Sequence, residues 1–124
     1  MPKKRKPQPE PSAIANPTRK RLGEAAEAAF LARATSLGLH VCKPWGDNER
    51  YDLAIDCGKG QFWRIQAKCT ERYAESRYRV GKSGHSNVPY TVEEIDFIAA
   101  HVVPLNLWYI IPAEATGQRK SLRF

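Results

Sequence analysis

Residues 51–69 of the chain read YDLAIDCGKGQFWRIQAKC. Polar and apolar residues alternate over 51–57, which is typical of a half-buried β-strand. Gly58-Lys59-Gly60 then predicts a turn, and residues 61–69 predict a second strand that returns beside the first. This stretch therefore predicts a β-hairpin at the centre of the fold.

The hairpin carries three side chains that suit the binding of a cation and a phosphate. Gln66 and Lys68 are two residues apart on one strand, so they point to the same face. Asp52 begins the neighbouring strand, where its carboxylate can share that face. An acid of the preceding helix would close the cluster from one side, either Glu27 or Glu24, which lies three residues earlier on nearly the same face.

This set of residues favours the hydrolysis of a phosphodiester bond. The reaction needs a hard cation that polarises the phosphate and lowers the pKa of an attacking water. Mg²⁺ prefers oxygen ligands, which the carboxylates and the Gln66 amide can supply. Lys68 can orient the water, stabilise charge that develops on the phosphate, or act as a base. Because Gln66 is neutral, we expect the site to hold one Mg²⁺ more readily than two.

The rest of the chain predicts one long helix and several strands. A single apolar stripe at helical period predicts a helix over residues 18–37, with Gly38 as its C-terminal cap. That stripe consists of Leu22, Ala26, Phe30, Ala34 and Leu37. Further strands are predicted at 40–42, 95–103 and 107–111, a long loop with a strand at 78–80 is predicted over 70–89, and a capping box is predicted at Thr91 and Glu94.

Composition limits the class of protein. The chain has 124 residues, the size of one domain, and a net charge of +7, which favours nucleic acid as partner and an anionic membrane surface second. No apolar run could cross a bilayer and the basic N-terminus is not a secretory signal, so we expect a cytoplasmic protein. The three cysteines contain no CxxC and predict neither a disulfide framework nor a zinc site; we expect them to be mostly buried.

Three regions follow from composition: a disordered, basic, proline-rich tail at 1–17, a folded domain at 18–113 and a basic C-terminal extension at 114–124 with little to fix it. The tail is typical of a nuclear localisation signal, of a DNA-tracking arm or of a solvated tail without a role. Basic and aromatic side chains also mix in the long loop, which is typical of phosphate contact or of a solvated loop. The candidate nucleic-acid-binding residues are Lys3, Lys4, Arg5, Lys6, Arg72, Arg77, Tyr78, Arg79 and Lys82.

These motifs resemble the PD-(D/E)xK nuclease superfamily, in which a helix acid, a strand acid, a second acid and a lysine recur in this order. Ile65-Gln66-Ala67-Lys68, with Gln in place of the second acid, is similar to the branch that includes bacterial group I intron-encoded homing endonucleases. Holliday junction resolvases are related to it. The other segments that resemble this branch are Gly23-Glu24-Ala25-Ala26-Glu27, Pro44-Trp45-Gly46-Asp47, Tyr51-Asp52-Leu53, Tyr90, Ile95-Asp96-Phe97 and Trp108-Tyr109-Ile110-Ile111-Pro112.

The resemblance covers about residues 20–112 and implies an α/β (α+β) fold with a restriction-endonuclease-like core, in which helices flank a mixed four- to five-stranded sheet. It implies that Glu27, Asp52, Gln66 and Lys68 are catalytic, that the first three bind Mg²⁺, and that the chain cleaves DNA as a homodimer or homotetramer, because a double-strand cut needs two sites. Three alternatives stay open. They are a junction-selective nuclease, a non-catalytic DNA-binding module on the same fold and, more remotely, an RNA-binding accessory protein.

Overall fold

The computed structural model describes residues 18–46, 48–71, 73–74, 77–81, 90–117 and 121–124, which form one α-helix and two β-sheets. The elements in chain order are α1 (Arg19–Ser36), β1 (His40–Cys42), β2 (Leu53–Gly58), β3 (Gln61–Thr70), β4 (Tyr73–Ala74), β5 (Arg77–Gly81), β6 (Phe97–Val102), β7 (Leu107–Pro112) and β8 (Ser121–Arg123). Short 3₁₀ turns at Val103–Leu105 and Ala113–Ala115 follow β6 and β7.

Helix α1 ends at Ser36, and the glycine that the sequence predicts at its C-terminus follows the capping residue Leu37. Gly38 has φ +83°, a left-handed conformation that side chains with a Cβ rarely adopt. Ala26, Phe30 and Ala34 are buried against the sheet, which confirms the middle of the predicted apolar stripe. The two ends of that stripe are exposed: Leu22 and Leu37.

The larger sheet has the strand order β1-β2-β3-β6-β7, and all of its neighbours are antiparallel except the parallel pair β3 and β6. This mixed five-stranded sheet confirms the predicted fold class. Ala67 of β3 pairs with Ala99 of β6 at its centre, and both are buried under α1. Two small side chains at this position allow the helix to approach the sheet closely, beside Leu53 and Ile65.

The opposite face of the sheet has its own hydrophobic cluster, formed by Tyr90, Ile95, Ile98, Ala113 and Leu122. We expected little to fix the extension at 114–124, but β8 pairs with β5 and Leu122 is buried. The apolar residues of this segment occupy alternate positions over only three residues, a pattern too short to distinguish a strand from a loop in the sequence.

An ion pair fixes the parallel register of β3 and β6. Asp96 Oδ2 accepts hydrogen bonds from Arg64 N at 2.7 Å and Arg64 Nε at 3.1 Å, and Asp96 Oδ1 accepts from Arg64 Nη2 at 3.1 Å. The guanidinium also donates to the backbone oxygens of Val92, at 2.9 Å, and Glu93. These bonds hold Asp96 next to β3, so that Ile65 pairs with the residue after it. The Arg64 hydrogen bond lowers the pKa of Asp96.

The cysteines are free, but the expectation that they are mostly buried is wrong. Cys42 is exposed because it lies on the short edge strand β1, and Cys57 is exposed because it lies beside the hairpin turn. Cys69 is half-buried. Within the described residues, no helix is both long and apolar enough to span a membrane.

Candidate active site

Asp52 is fixed to the neighbouring strand through both its backbone and its side chain. It directly precedes β2, and its N–H donates to the Ile65 carbonyl oxygen at 2.8 Å. Its Oδ2 accepts a hydrogen bond from Ala67 N at 3.0 Å. The two bonds place the carboxylate at the part of β3 that carries Gln66 and Lys68, as the predicted hairpin requires.

Ile65 and Ala67, which alternate with Gln66 and Lys68 along β3, pack under the helix. Gln66 and Lys68 therefore occupy the face of β3 that is opposite to α1. Gln66 is only 6% exposed, and its Oε1 is buried without a hydrogen-bond partner in the described part of the chain. A buried amide oxygen without a partner is energetically costly. Its environment therefore suits a cation that is brought to the oxygen.

The carboxylates of Glu27 and Asp52 are electrostatically coupled. Burial first, and then the negative charge of Glu27, raise the pKa of Asp52 to about 6. The Ala67 N–H and the Lys68 ammonium act in the opposite direction. Glu27 is half-buried whereas Glu24 is exposed, so the geometry favours Glu27 as the helix acid of the cluster.

A lysine that the sequence analysis did not select contacts this cluster. Lys43 Nζ lies 2.8 Å from Glu27 Oε1, and the hydrogen bond to Glu27 raises the pKa of Lys43. The side chain of Lys43 is 64% exposed and that of Glu27 is 22% exposed. Cys42 pairs with Ala54, so the residue after Cys42 comes close to the start of β2 and to Asp52. Only the pairing of β1 with β2 reveals this position, and the sequence pattern does not show it.

Tyr90 is buried, and its ring lies beside the ammonium of Lys68. Lys68 Nζ lies 5.4 Å from the centroid of the Tyr90 ring, and the guanidinium carbon of Arg50 lies 4.3 Å from it. Arg50 also forms an ion pair with Glu94 at 3.1 Å. Glu94 Oε1 accepts hydrogen bonds from Thr91 N and Oγ1, both at 3.1 Å, which confirms the predicted capping interaction. Burial, and then the charge of Asp52, raise the pKa of Tyr90.

A scan against known families finds that residues 17–124 match the family described as PD-(D/E)XK endonuclease. The chain belongs to this family. Among solved structures, this endonuclease is similar to a bacterial homing endonuclease, I-Ssp6803I, with 27% sequence identity and a TM-score of 0.71 over 86% of this chain and 75% of that chain. A comparison with curated proteins gave no significant match. The family and the structural likeness confirm the resemblance seen in the sequence and identify a nuclease with a restriction-endonuclease-like fold.

The candidate site of this PD-(D/E)XK endonuclease offers oxygen atoms of the kind that bind a hard cation. In the described ranges, no group of three Asp, Glu, His or Cys residues could hold a metal ion, and Gln66 adds an amide oxygen in place of a further carboxylate. Glu27 and Asp52 offer carboxylate oxygens, and Gln66 Oε1 offers a neutral oxygen that lacks a partner. Divalent cations of the Mg²⁺ type take such oxygen ligands.

The candidate nucleic-acid residues of the PD-(D/E)XK endonuclease fall into three groups. Arg77 and Arg79 are exposed on β5, and Arg79 pairs with Arg123 of β8, so the three guanidiniums share one face of the small sheet. Arg123 was not selected from the sequence, which shows no strand there. Tyr78 is half-buried and belongs to the opposite face. The remaining candidates lie outside the described residues: Lys3, Lys4, Arg5, Lys6, Arg72 and Lys82.

Proposed function

We propose that this nuclease is a Mg²⁺-dependent DNA endonuclease of the homing-endonuclease type. In this proposal Glu27, Asp52 and Gln66 hold the metal and Lys68 is the catalytic lysine. One observation carries it: the Ala67 N–H fixes the Asp52 carboxylate beside a strand on which Gln66 presents a buried oxygen without a partner. The structural likeness to a bacterial homing endonuclease supports the choice of enzyme type.

The electrostatics of the Asp52 carboxylate favour a cation at this site. The raised pKa of Asp52 reports that its negative charge is poorly compensated, because the carboxylate is largely buried and Glu27 lies near it. When bound, a divalent cation would polarise the scissile phosphate and lower the pKa of an attacking water. Two carboxylates and one neutral amide favour one Mg²⁺ over two.

Lys68 has the position that a catalytic lysine needs. It lies two residues from Gln66 on the same strand face, and it acts electrostatically on Asp52. The Tyr90 ring beside its ammonium restricts where the side chain can go. Lys68 can therefore donate a hydrogen bond to the attacking water or to the phosphate oxygen on which charge develops.

The arginines of the small sheet supply a surface for the DNA backbone. Arg77, Arg79 and Arg123 share one face of the small sheet, where their guanidiniums suit hydrogen bonds to phosphate oxygens. The net charge of +7 favours the same partner. A double-strand cut requires two such sites, so we propose a homodimer or homotetramer that acts in the bacterial cytosol or nucleoid.

Cleavage of supercoiled plasmid and of a synthetic four-way junction in Mg²⁺ tests the proposal. Wild type should give product, Asp52→Ala and Lys68→Ala should give none, and the control Lys59→Ala, which removes a charge at the hairpin turn, should cleave like wild type. Selective cleavage of the junction would replace homing with junction resolution. Tight DNA binding without product from either substrate would favour a binding module instead.

A further inference from the structure

The ammonium of Lys43 is hydrogen-bonded to the carboxylate of Glu27, which is one of the proposed metal ligands. The hydrogen bond between Lys43 Nζ and Glu27 Oε1 is 2.8 Å long. Asp52 and Glu24 also lie close enough to act on the same ammonium. One exposed positive charge thus acts on the same carboxylates that the proposed metal would neutralise.

We propose that Lys43 is an internal counter-cation of this nuclease, which competes with the divalent metal for Glu27 and leaves the carboxylate when the metal binds. The inference rests on the proposed metal site. It assigns a second lysine to the reaction cycle, since Lys43 opposes metal binding and partly compensates the charge of the carboxylates when no metal is bound.

The different surroundings of the two lysines support different roles. Lys43 follows the edge strand β1, and its side chain is 64% exposed, so it can swing into solvent without disturbing the core. Lys68 projects from the central strand β3 beside the buried Tyr90 ring. An ammonium and a divalent cation repel each other, and at close range in a partly buried site this repulsion is weakly screened. Metal on Glu27 therefore requires Lys43 to leave.

Calorimetric titration of Mg²⁺ into the full-length protein without DNA tests the inference, because cleavage plays no part in the signal. Lys43→Gln removes the charge and keeps most of the side-chain length. Lys59→Gln is the matched control, since Lys59 lies at the hairpin turn, about 20 Å along β2 from Asp52. Lys43→Gln should bind Mg²⁺ about two- to tenfold more tightly than wild type, the range expected from a partly exposed ion pair and the lost repulsion.

Lys43→Arg provides a second variant, which keeps the positive charge and should bind Mg²⁺ within about twofold of wild type. Equal or weaker Mg²⁺ binding by Lys43→Gln, with wild-type binding intact, would overturn the role of Lys43 and leave the proposed function standing. If neither wild type nor any variant bound Mg²⁺, the metal site itself would fail, and the inference with it. Metal-free thermal unfolding of each variant establishes that affinities are compared between folded proteins.

Discussion

The charge on Asp52 should destabilise the metal-free protein, so Asp52→Asn should make the fold more stable while it removes a metal ligand. Burial and the charge of Glu27 raise the pKa of Asp52 from 3.8 to about 6. One pKa unit corresponds to about 1.4 kcal/mol. At neutral pH, ionised Asp52 therefore lowers the free energy of unfolding by up to about 3 kcal/mol.

The pH dependence has a definite sign. The folded protein binds a proton at Asp52 more tightly than the unfolded chain does, so stability falls as the pH rises from about 4 to about 6 and stays low above that. Asparagine carries no charge, and its amide oxygen can still accept the hydrogen bond from Ala67 N. We expect Asp52→Asn to raise the free energy of unfolding by about 1–3 kcal/mol above pH 7 and to change it little near pH 4.

Urea unfolding followed by tryptophan fluorescence in EDTA, at several pH values, measures this effect. Asp56→Asn is the control, because Asp56 lies at the far end of β2, where its Oδ1 accepts a hydrogen bond from Gly58 N at 2.8 Å. Added Mg²⁺ should then stabilise wild type and leave Asp52→Asn almost unchanged. A variant that is less stable than wild type above pH 7 would refute the reasoning that unbalanced negative charge dominates this site.

Four further predictions each concern one side chain. Asp96→Asn should reduce the loss of stability in acid. Because the pKa of Asp96 is lowered in the folded protein, its carboxylate contributes fully to the free energy of unfolding above about pH 4 and loses that contribution as the pH falls further. Urea unfolding between pH 2 and 6 checks this. Ile98→Ala removes a fully buried side chain and should cost about 2–5 kcal/mol by urea unfolding at pH 7, and a cost below about 1 kcal/mol would contradict the assigned core. Gln66→Glu should bind Mg²⁺ more tightly in calorimetry, with a second ion at high concentration, and unchanged binding would count against the charge argument. Arg123→Ala should weaken duplex binding and reduce its salt slope by about one.

The sequence predicts the hairpin and its side chains well because the relevant physics is local. Alternation over 51–57 and 61–69 determines which side chains share a face, and the turn at 58–60 determines that the two strands meet. Asp52, Gln66 and Lys68 could therefore be placed together before any long-range contact was known. The structure brings them together in that way through the bond from Ala67 N to the Asp52 carboxylate.

Residues whose roles depend on long-range pairing could not be predicted in this way. Lys43 joins the carboxylates only because β1 lies beside β2, and Arg123 joins the other arginines only because β8 pairs with β5. Arg64 and Asp96 are 32 positions apart, so no periodicity links them. Such contacts are set by packing of the whole chain, which short sequence windows do not contain.

Insertions and deletions should have very different consequences along the β2–β3 hairpin. At the turn, Gly58, Lys59 and Gly60 are exposed, and added residues there would lengthen the loop while the paired strands keep their alignment. One residue added between Gln61 and Ile65 would shift the alternation of β3 by one position. Gln66 and Lys68 would then turn toward α1, unless a bulge absorbed the added residue. Length variation among nucleases with this hairpin should therefore concentrate at its tip, and an engineered graft into this protein should enter there.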